Sequence, residues 1–341
     1  MSEPIRIAVL GLSHDHVWGV LEELSHRRDA VLVGASDPHP ELGVKLASRG
    51  HACPFHADAR SLLDREAPQA VLVFGDNRGG AEDAALALSR GVHAMIEKPM
   101  AADLEGARAV ARAAQVGGAR VMVNWPFAWW PALQHAMSLA QGGAIGRLWQ
   151  LRYRAAHRGP RELGCSEPFC AGLYDERRNG AGAYMDYAGY GAVLACALLG
   201  TPQSALASRG RLVKTDIAVD DTAALILRGD RWMALIEAGW AEVGELTAYA
   251  PAFYGETGTL LVEREGRRLL LATLDRPGGE VLSPPTPPAQ LASPVAHFLW
   301  AQRTGGEMHP LCGLEVNLRA QAALQAGLMA SDRGCSVAVE A

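Results

Sequence analysis

"IRIAVLGLSHDHVWG" (residues 5–19) decides the fold. Its first half is an apolar, β-branched run of buried-strand length that ends on Gly11, and a helical pattern begins at Val17. Strand, glycine turn and helix in that order open a dinucleotide-binding βαβ unit. Such a turn ordinarily carries G-x-G-x-x-G, for a tight bend, close backbone approach to a pyrophosphate, and helix packing. Here only Gly11 is kept, and Ser13 and His16 hold the other two glycine positions. The motif alone is weak, and its context strengthens it, because "VLVGASD" (31–37) ends on Asp37. A carboxylate at the end of the second strand accepts hydrogen bonds from the adenosine ribose and repels a 2′-phosphate, so NAD is expected over NADP. The plain alternative for Asp37 is a solvated loop carboxylate. His14 and His16 read as loop histidines beside the pyrophosphate, and no metal is expected, because no matching carboxylate pattern accompanies them.

Outward from this unit the chain alternates. "AVLVFGDN" (70–77), "VHAMIEKP" (92–99) and "ARVMVN" (119–124) are further strand candidates, and 17–27, 40–49, 80–90 and 103–115 carry helical patterns. Asp103 can cap the last helix, with Leu104, Ala107, Ala111 and Ala114 on one face. Strict alternation predicts a parallel sheet covered on both faces, with ligands at the carboxyl ends of the strands. Those ends supply the cofactor candidates: Gly11, Leu12, Ser13 and His14; Asp37; Gly75, Asp76 and Asn77; Glu97, Lys98 and Pro99; and Asn124. Residues 1–124 are read as an N-terminal Rossmann dinucleotide-binding domain.

From 125 the character changes. A helix over 131–142 leads through "GGAIG" into the strand-like "RLWQLRYRAAH", then a polar loop and a helix around 183–199. "TAALILRG", "WMALIEAGW", "TGTLLVERE" and "RRLLLATL" follow, which suits a large, mostly antiparallel, open-faced sheet. "SPPTPPAQLASP" (283–294) reads as a surface loop and 313–331 as a terminal helix. The fold class is α/β, with 125–341 expected to be an α+β domain for substrate binding and oligomerisation. The apolar face of "WMALIEAGW" would need covering, which predicts a homodimer or homotetramer.

A formal charge of −5, with no basic block, gives no reason to expect nucleic acid or anionic lipid as a partner. No apolar run reaches the roughly 18 residues of a membrane span, and "MSEPIRIAVLGL" lacks the pattern of a signal peptide. The six dispersed cysteines include no C-x-x-C and read as reduced thiols, so a cytoplasmic location is expected.

The fourth strand ends in "HAMIEKPMAAD" (93–103), and its lysine is conspicuous: lysine occurs only at 45, 98 and 214, against 32 basic side chains in all. With "EKPMA", "GAIGRLWQLRYR", "NGAGAYMDYAGYGAVLACALLG" (179–200), "VDDTAALILR" and "YGETGTL", nearly the whole chain resembles the glucose-fructose oxidoreductase / inositol dehydrogenase / MocA (Gfo/Idh/MocA) family. The resemblance implies that Lys98 and Pro99 flank the nicotinamide, and that Lys98 contacts the reacting hydroxyl. Asp186 matches the family's aspartate. Four residues on, many members have histidine where this chain has Tyr190, which is similar to the branch that uses tyrosine as the acid/base. Ala188 departs from a glycine common in the family. Spacing of four on a helix puts Asp186 and Tyr190 on one face. Lysine, unlike arginine, offers a tunable proton beside a positive ring, and the plain alternative is a surface Lys–Glu pair.

Arg154 and His157 are candidates for substrate hydroxyls or for packing. Trp125, Trp129 and Trp130 are candidates for stacking on a sugar ring or for filling the domain junction, with Trp125 carried forward as a binding residue. Asn77 and Asn124 could fix the nicotinamide ribose and carboxamide. The expected function is hydride transfer between nicotinamide and a hydroxyl of a carbohydrate-like small molecule: a sugar, cyclitol or related polyol. Two alternatives are a glycosidase- or lyase-type enzyme using bound NAD transiently, and a non-catalytic dinucleotide-binding regulator.

Overall fold

Each apolar run of the first third becomes a strand of one parallel sheet in the computed structural model, which describes residues 3–244, 246–263 and 265–340. Strands β1 (Ile5–Leu10), β2 (Ala30–Ser36), β3 (Phe55–His56), β4 (Ala70–Val73), β5 (His93–Glu97) and β6 (Val121–Asn124) lie in the order β3-β2-β1-β4-β5-β6. Between them run α1 (Val17–Ser25), α2 (Pro40–Ser48), α3 (Ala59–Glu66), α4 (Asn77–Leu88) and α5 (Leu104–Gly117). Asp103 caps α5 through Gly106 N at 2.8 Å, as its side-chain chemistry predicts. Of these elements β3 and α3 escaped the pattern reading, because one is two residues long and the other is mostly polar.

The strand order reverses between β1 and β4, and such a switch point opens a crevice at the carboxyl edge. Gly11 sits there with φ +78°, and a Cβ on it would overlap the backbone of Phe74 and Gly75. This is the one glycine of the motif that the turn itself demands. Its amide bonds Ser36 O at 2.8 Å, and His14 N bonds Phe74 O at 2.9 Å, pinning the turn to both neighbouring strands.

After α6 (Pro131–Gln141) comes β7 (Leu148–Ala156), then α7 (Glu167–Leu173), α8 (Glu176–Asn179), a π-helical turn (Tyr184–Ala188) and α9 (Gly189–Leu198). The remaining elements are β8 (Ser204–Gly210), β9 (Thr222–Arg228), β10 (Met233–Gly239), β11 (Ala252–Gly255), β12 (Gly258–Glu263), β13 (Arg268–Thr273), β14 (Glu280–Leu282), α10 (Pro294–Thr304), α11 (Leu314–Arg333) and β15 (Val337–Ala338). The second sheet has nine strands in the order β14-β13-β12-β11-β7-β10-β9-β8-β15. β7 and β10 pair in parallel and the other neighbours antiparallel, so the sheet is mixed but mostly antiparallel.

Side-chain alternation sorts the two faces. Leu151, Tyr153 and Ala155 of β7 point into the core, whereas Arg152 and Arg154 point to the other face, where both meet Glu237 of β10. That outer face mixes these ion pairs with exposed Leu206 and Met233, so it is less apolar than the hydropathy of "WMALIEAGW" suggests. The two sheets are tied by the C-terminal region: Val123 N bonds Cys312 O at 2.9 Å, and Trp125 Nε1 donates to Asn317 Oδ1 of α11 at 2.8 Å.

Candidate active site

Two cavities share one buried ion pair. Lys98 follows the last residue of β5, and its bond to Pro99 is cis. Asp186 comes from the π-helical turn, whose tight seat needs Gly189 against Trp125 and Gly191 against Ile236, where a Cβ would collide. A π turn inserted into a helix is a frequent mark of a functional site. The Lys98 ammonium donates to Asp186 Oδ1, with the two side chains 4% and 6% exposed. Asp186 Oδ2 accepts from Trp240 Nε1 at 3.2 Å, so both carboxylate oxygens are held.

The first cavity lies over the switch point. Ser13, His14, Gly75, Asp76 and Asn77 form one wall, and Pro168, Phe169 and Leu173 of α7 form the other. Within the turn, the amides of Gly11, Leu12, His14 and His16 are spent on protein acceptors; those of Ser13 and Asp15 have none among the described residues and are left for an anion. The segment that the sequence suggested as a polar loop is therefore a wall that closes on the first domain. Ser166 N bonds Asp15 Oδ2 at 2.7 Å, Arg178 Nε bonds Asp76 Oδ2 at 3.0 Å, and Asn77 Nδ2 bonds Asn179 Oδ1 at 2.7 Å. The Phe169 and His14 rings lie 4.1 Å apart.

The second cavity, about 280 Å³, opens on the other side of Lys98 and Asp186. Tyr190 and His157 line it as expected, together with Tyr187, Tyr249, Trp130 and Phe169. The Tyr187 and Tyr249 rings meet edge to face, with their centres 6.1 Å apart. Lys98 Nζ stands 5.5 Å and 5.4 Å from the ring centres of Tyr187 and Tyr190. Tyr249 holds φ +54°, a conformation that costs a bulky residue energy and that clusters at functional sites.

Several expected contacts fall elsewhere. Arg154 is on the opposite face of β7, held by Glu242 at 2.7 Å and Glu237 at 2.9 Å, and it does not line the cavity. Trp125 is buried beneath the site and bonded to Asn317, so Trp130 is the tryptophan of its segment that reaches the cavity. Asn124 donates to Glu97 Oε2 at 2.8 Å and accepts from Trp129 Nε1 at 3.0 Å, so its amide braces Glu97 and lines neither cavity. Asp37 is buried: Oδ2 takes the Leu12 amide at 2.7 Å and Oδ1 takes His39 N at 2.9 Å and Nδ1 at 2.8 Å. It is not a freely solvated loop carboxylate, and it organises the turn. Leu12 itself packs in the core, and its amide serves Asp37.

A carboxylate does accompany the two histidines, contrary to the spacing argument. Glu97 Oε1 lies 3.1 Å from His16 Nδ1, and ligand atoms of His14, His16 and Glu97 all fall within 4.8 Å. Some of their atoms are already paired: His14 Nδ1 takes the His16 amide at 3.2 Å, and Glu97 holds His16 and Asn124. The cluster reads as a hydrogen-bonded brace for Lys98's neighbour.

Burial sets the protonation states. It lowers His157 to about 4, with Lys98 adding to the effect and Asp186 opposing it. It holds His14 well below its usual value, helped by His16 and Lys98. It raises Tyr190 well above 10, with Tyr153 and Asp186 contributing. Tyr187 is raised for the same first reason. The cavity therefore presents neutral phenols and a neutral imidazole. His157 Nδ1 accepts from Gly159 N at 2.8 Å, which leaves the proton on Nε2.

The chain matches two family profiles: GFO_IDH_MocA, described as an oxidoreductase family with an NAD-binding Rossmann fold, over 5–125, and the GFO/IDH/MocA C-terminal domain over 133–261. A curated relative, the 1-carboxy-3-chloro-3,4-dihydroxycyclohexa-1,5-diene dehydrogenase of Comamonas testosteroni, is 29% identical over 144 residues. That match spans 42% of this chain and 36% of the relative. Among solved structures, levoglucosan dehydrogenase with NADH and levoglucosan superposes with a TM-score of 0.83 at 20% identity, covering 99% of this chain and 100% of that one. The WlbA dehydrogenase of Bordetella pertussis, with NADH and UDP-GlcNAcA, gives 0.80 at 20% identity, with the same coverage. An oxidoreductase from Agrobacterium radiobacter, bound to NAD+, L-tartaric acid and magnesium, gives 0.82 at 18% identity, covering 98% of each chain.

Proposed function

The chain belongs to the Gfo/Idh/MocA oxidoreductase family, and on that premise we propose that it moves hydride between NAD and a CH–OH group of a sugar, cyclitol or related polyol. The observation that carries this reading is the buried Lys98–Asp186 pair, which forms part of the wall of both cavities. The cofactor is NAD, which would supply the hydride acceptor or donor when bound. The residues present fit it: Gly11 lets the turn lie against the backbone of Phe74 and Gly75, Ser13 and Asp15 offer amides, and Asp37 at the end of β2 would accept from the ribose beside its bonds to Leu12 and His39.

The chain's own groups then act on one substrate oxygen. Lys98 donates to that oxygen and stabilises developing negative charge on it. Asp186 fixes Lys98 and, through Trp240, its own orientation. Tyr190 is the proton carrier. Because burial keeps its phenol protonated, it gives a proton to a carbonyl oxygen readily, and accepting one from a hydroxyl depends on nearby positive charge. His157 Nε2–H orients a neighbouring hydroxyl.

The second domain is the substrate domain in this reading, and its outer face joins copies into a dimer or tetramer. Incubation of the protein with NAD and a panel of sugars and cyclitols, read at the NADH absorbance band, tests the activity. Wild-type turnover that is lost in Tyr190→Phe supports it, and the absence of NADH with every compound counts against it.

A further inference from the structure

Asp220 and Asp221, just before β9 in the "VDDTAALILR" stretch, line neither cavity, yet both are buried, 5% and 0% exposed. A buried carboxylate is costly unless its oxygens are hydrogen-bonded, so its partners show what it is kept for. Asp221 serves its own loop: Oδ1 takes Leu212 N at 2.9 Å, and Oδ2 takes Val213 N at 2.8 Å and Lys214 N at 2.6 Å. Asp220 serves a different element.

Its Oδ1 takes Gly182 N at 2.9 Å, its Oδ2 takes Tyr184 N at 2.8 Å, and its carbonyl takes Ala183 N at 2.9 Å. One residue thus holds three successive amides at the start of the π-helical turn that carries Asp186. Amides at the start of a helix lack internal acceptors, and a carboxylate there also meets the positive end of the backbone dipole. The approach is close: a Cβ on Gly182 would lie 2.0 Å from Asp220 O. Arg209 adds a positive charge, with Nη1 3.4 Å from Asp220 Oδ1. The carboxylate of Asp186 is reached from the same place by a second route. Asp221 O takes Trp240 N at 2.7 Å, and Trp240 Nε1 donates to Asp186 Oδ2.

We propose that Asp220 is a positioning residue: it clamps the turn at the place where Asp186 meets Lys98, and it acts on the reaction only through that pair. The proposal rests on the oxidoreductase reading for the reaction it serves. Lys98 and Asp186 are 88 residues apart, so nothing local in the chain sets their meeting. In Asp220→Asn the side chain keeps its shape, but one of its two end atoms becomes a donor and faces an amide N–H. One of the two clamping bonds is then replaced by a repulsion, and the turn shifts with Asp186 on it. A displacement of about 1 Å at a reacting group costs about 10²-fold in rate.

Lysine occurs only at 45, 98 and 214, so the full chain labelled at lysine Cε gives an NMR spectrum that can be read residue by residue. The Lys98 signal is the one missing from the Lys98→Met/Asp186→Leu protein. In Asp220→Asn it should move, while that of Lys45 on α2 stays in place. On a polyol that the wild type oxidises, kcat should fall about 10- to 100-fold with KM changed less than about 3-fold. Asp58→Ala is the control for lost stability alone: it removes a carboxylate cap at the start of α3 and should leave both the Lys98 signal and kcat unchanged. Gly182→Ala pushes the same turn away from Asp220 with the carboxylate intact, and it should reproduce the Asp220→Asn result if that protein does not fold. An unmoved Lys98 signal in the folded variant overturns the proposal, whatever kcat does. So does a moved signal with kcat intact, a rise in KM alone, or an equal shift in Asp58→Ala. The NMR arm needs no turnover. A moved Lys98 signal in a protein that makes no NADH from any polyol supports the clamp and sinks the oxidoreductase reading alone.

Discussion

Replacing Asp186 by leucine removes the counter-charge of Lys98 while roughly keeping volume. Lys98 is 4% exposed and Asp186 was its ion-pair partner, so the ammonium is left charged in a dry wall. Stranding one member of a buried pair costs about 3–5 kcal/mol. Trp240 Nε1 also loses its acceptor at 3.2 Å, adding about 1–3 kcal/mol for a buried donor left unpaired. Lys98→Met alone strands the carboxylate, at a similar cost of about 3–5 kcal/mol. The double variant Lys98→Met/Asp186→Leu strands no charge and should recover most of that loss, because buried pairs replaced by apolar groups are often neutral in stability. Urea unfolding of the four proteins gives the coupling directly. The expected pattern is two unstable single variants and a double variant about 1–3 kcal/mol below wild type, the cost of the unpaired Trp240 Nε1, that has no turnover. Single variants within about 0.5 kcal/mol of wild type would refute the buried pair. A double variant that still turned over would refute its role in the chemistry.

Tyr190→Phe should lower turnover by about 10²–10⁴ with the fold and NADH affinity intact, because a positioned proton carrier is worth that much; unchanged turnover moves the role to Tyr187. Asp37→Ala should weaken NAD and narrow its margin over NADP by about 1–3 kcal/mol in calorimetry, since it removes a carboxylate and also frees the Leu12 amide. Stability should fall with acid. Burial lowers His157 and His309 to about 4 and also lowers His14, His93 and His297, so the unfolded chain binds more protons between about pH 6.5 and 4. That stability is complete above the unfolded value and is lost as pH drops through the window. Asp83, raised to about 6 by burial, works in the opposite sense as one group against five. Urea midpoints at pH 7 and pH 5 check this, and a higher midpoint at pH 5 contradicts it. Light scattering should show a dimer or tetramer, and a lone 36.2 kDa species at micromolar concentration would contradict that.

The parallel sheet was legible because buried strands and amphipathic helices announce themselves by hydropathy and by glycine at the turn. Lys98, Asp186 and Tyr190 were legible through the family's motifs, and they converge on one wall. Arg154 was misjudged although the sequence held the answer: along a strand of period two, 154 and 157 face opposite sides, so only one of them could reach the substrate. The accompanying carboxylate was missed because Glu97 lies 81 residues from His16 and meets it only across the sheet edge. Tyr249 and Phe169 were missed because they sit in a loop and a short helix, where no periodicity marks the inward side.

The most direct test of the central claim is isotopic. The protein is incubated with NAD and a set of carbon-deuterated cyclitols and pyranoses, and the nicotinamide, free and bound, is analysed by mass spectrometry. Hydride transfer predicts deuterium on the nicotinamide with at least one neutral ring, and none with the Lys98→Met/Asp186→Leu protein. NAD that binds, yet carries no deuterium with any compound, would contradict the claim.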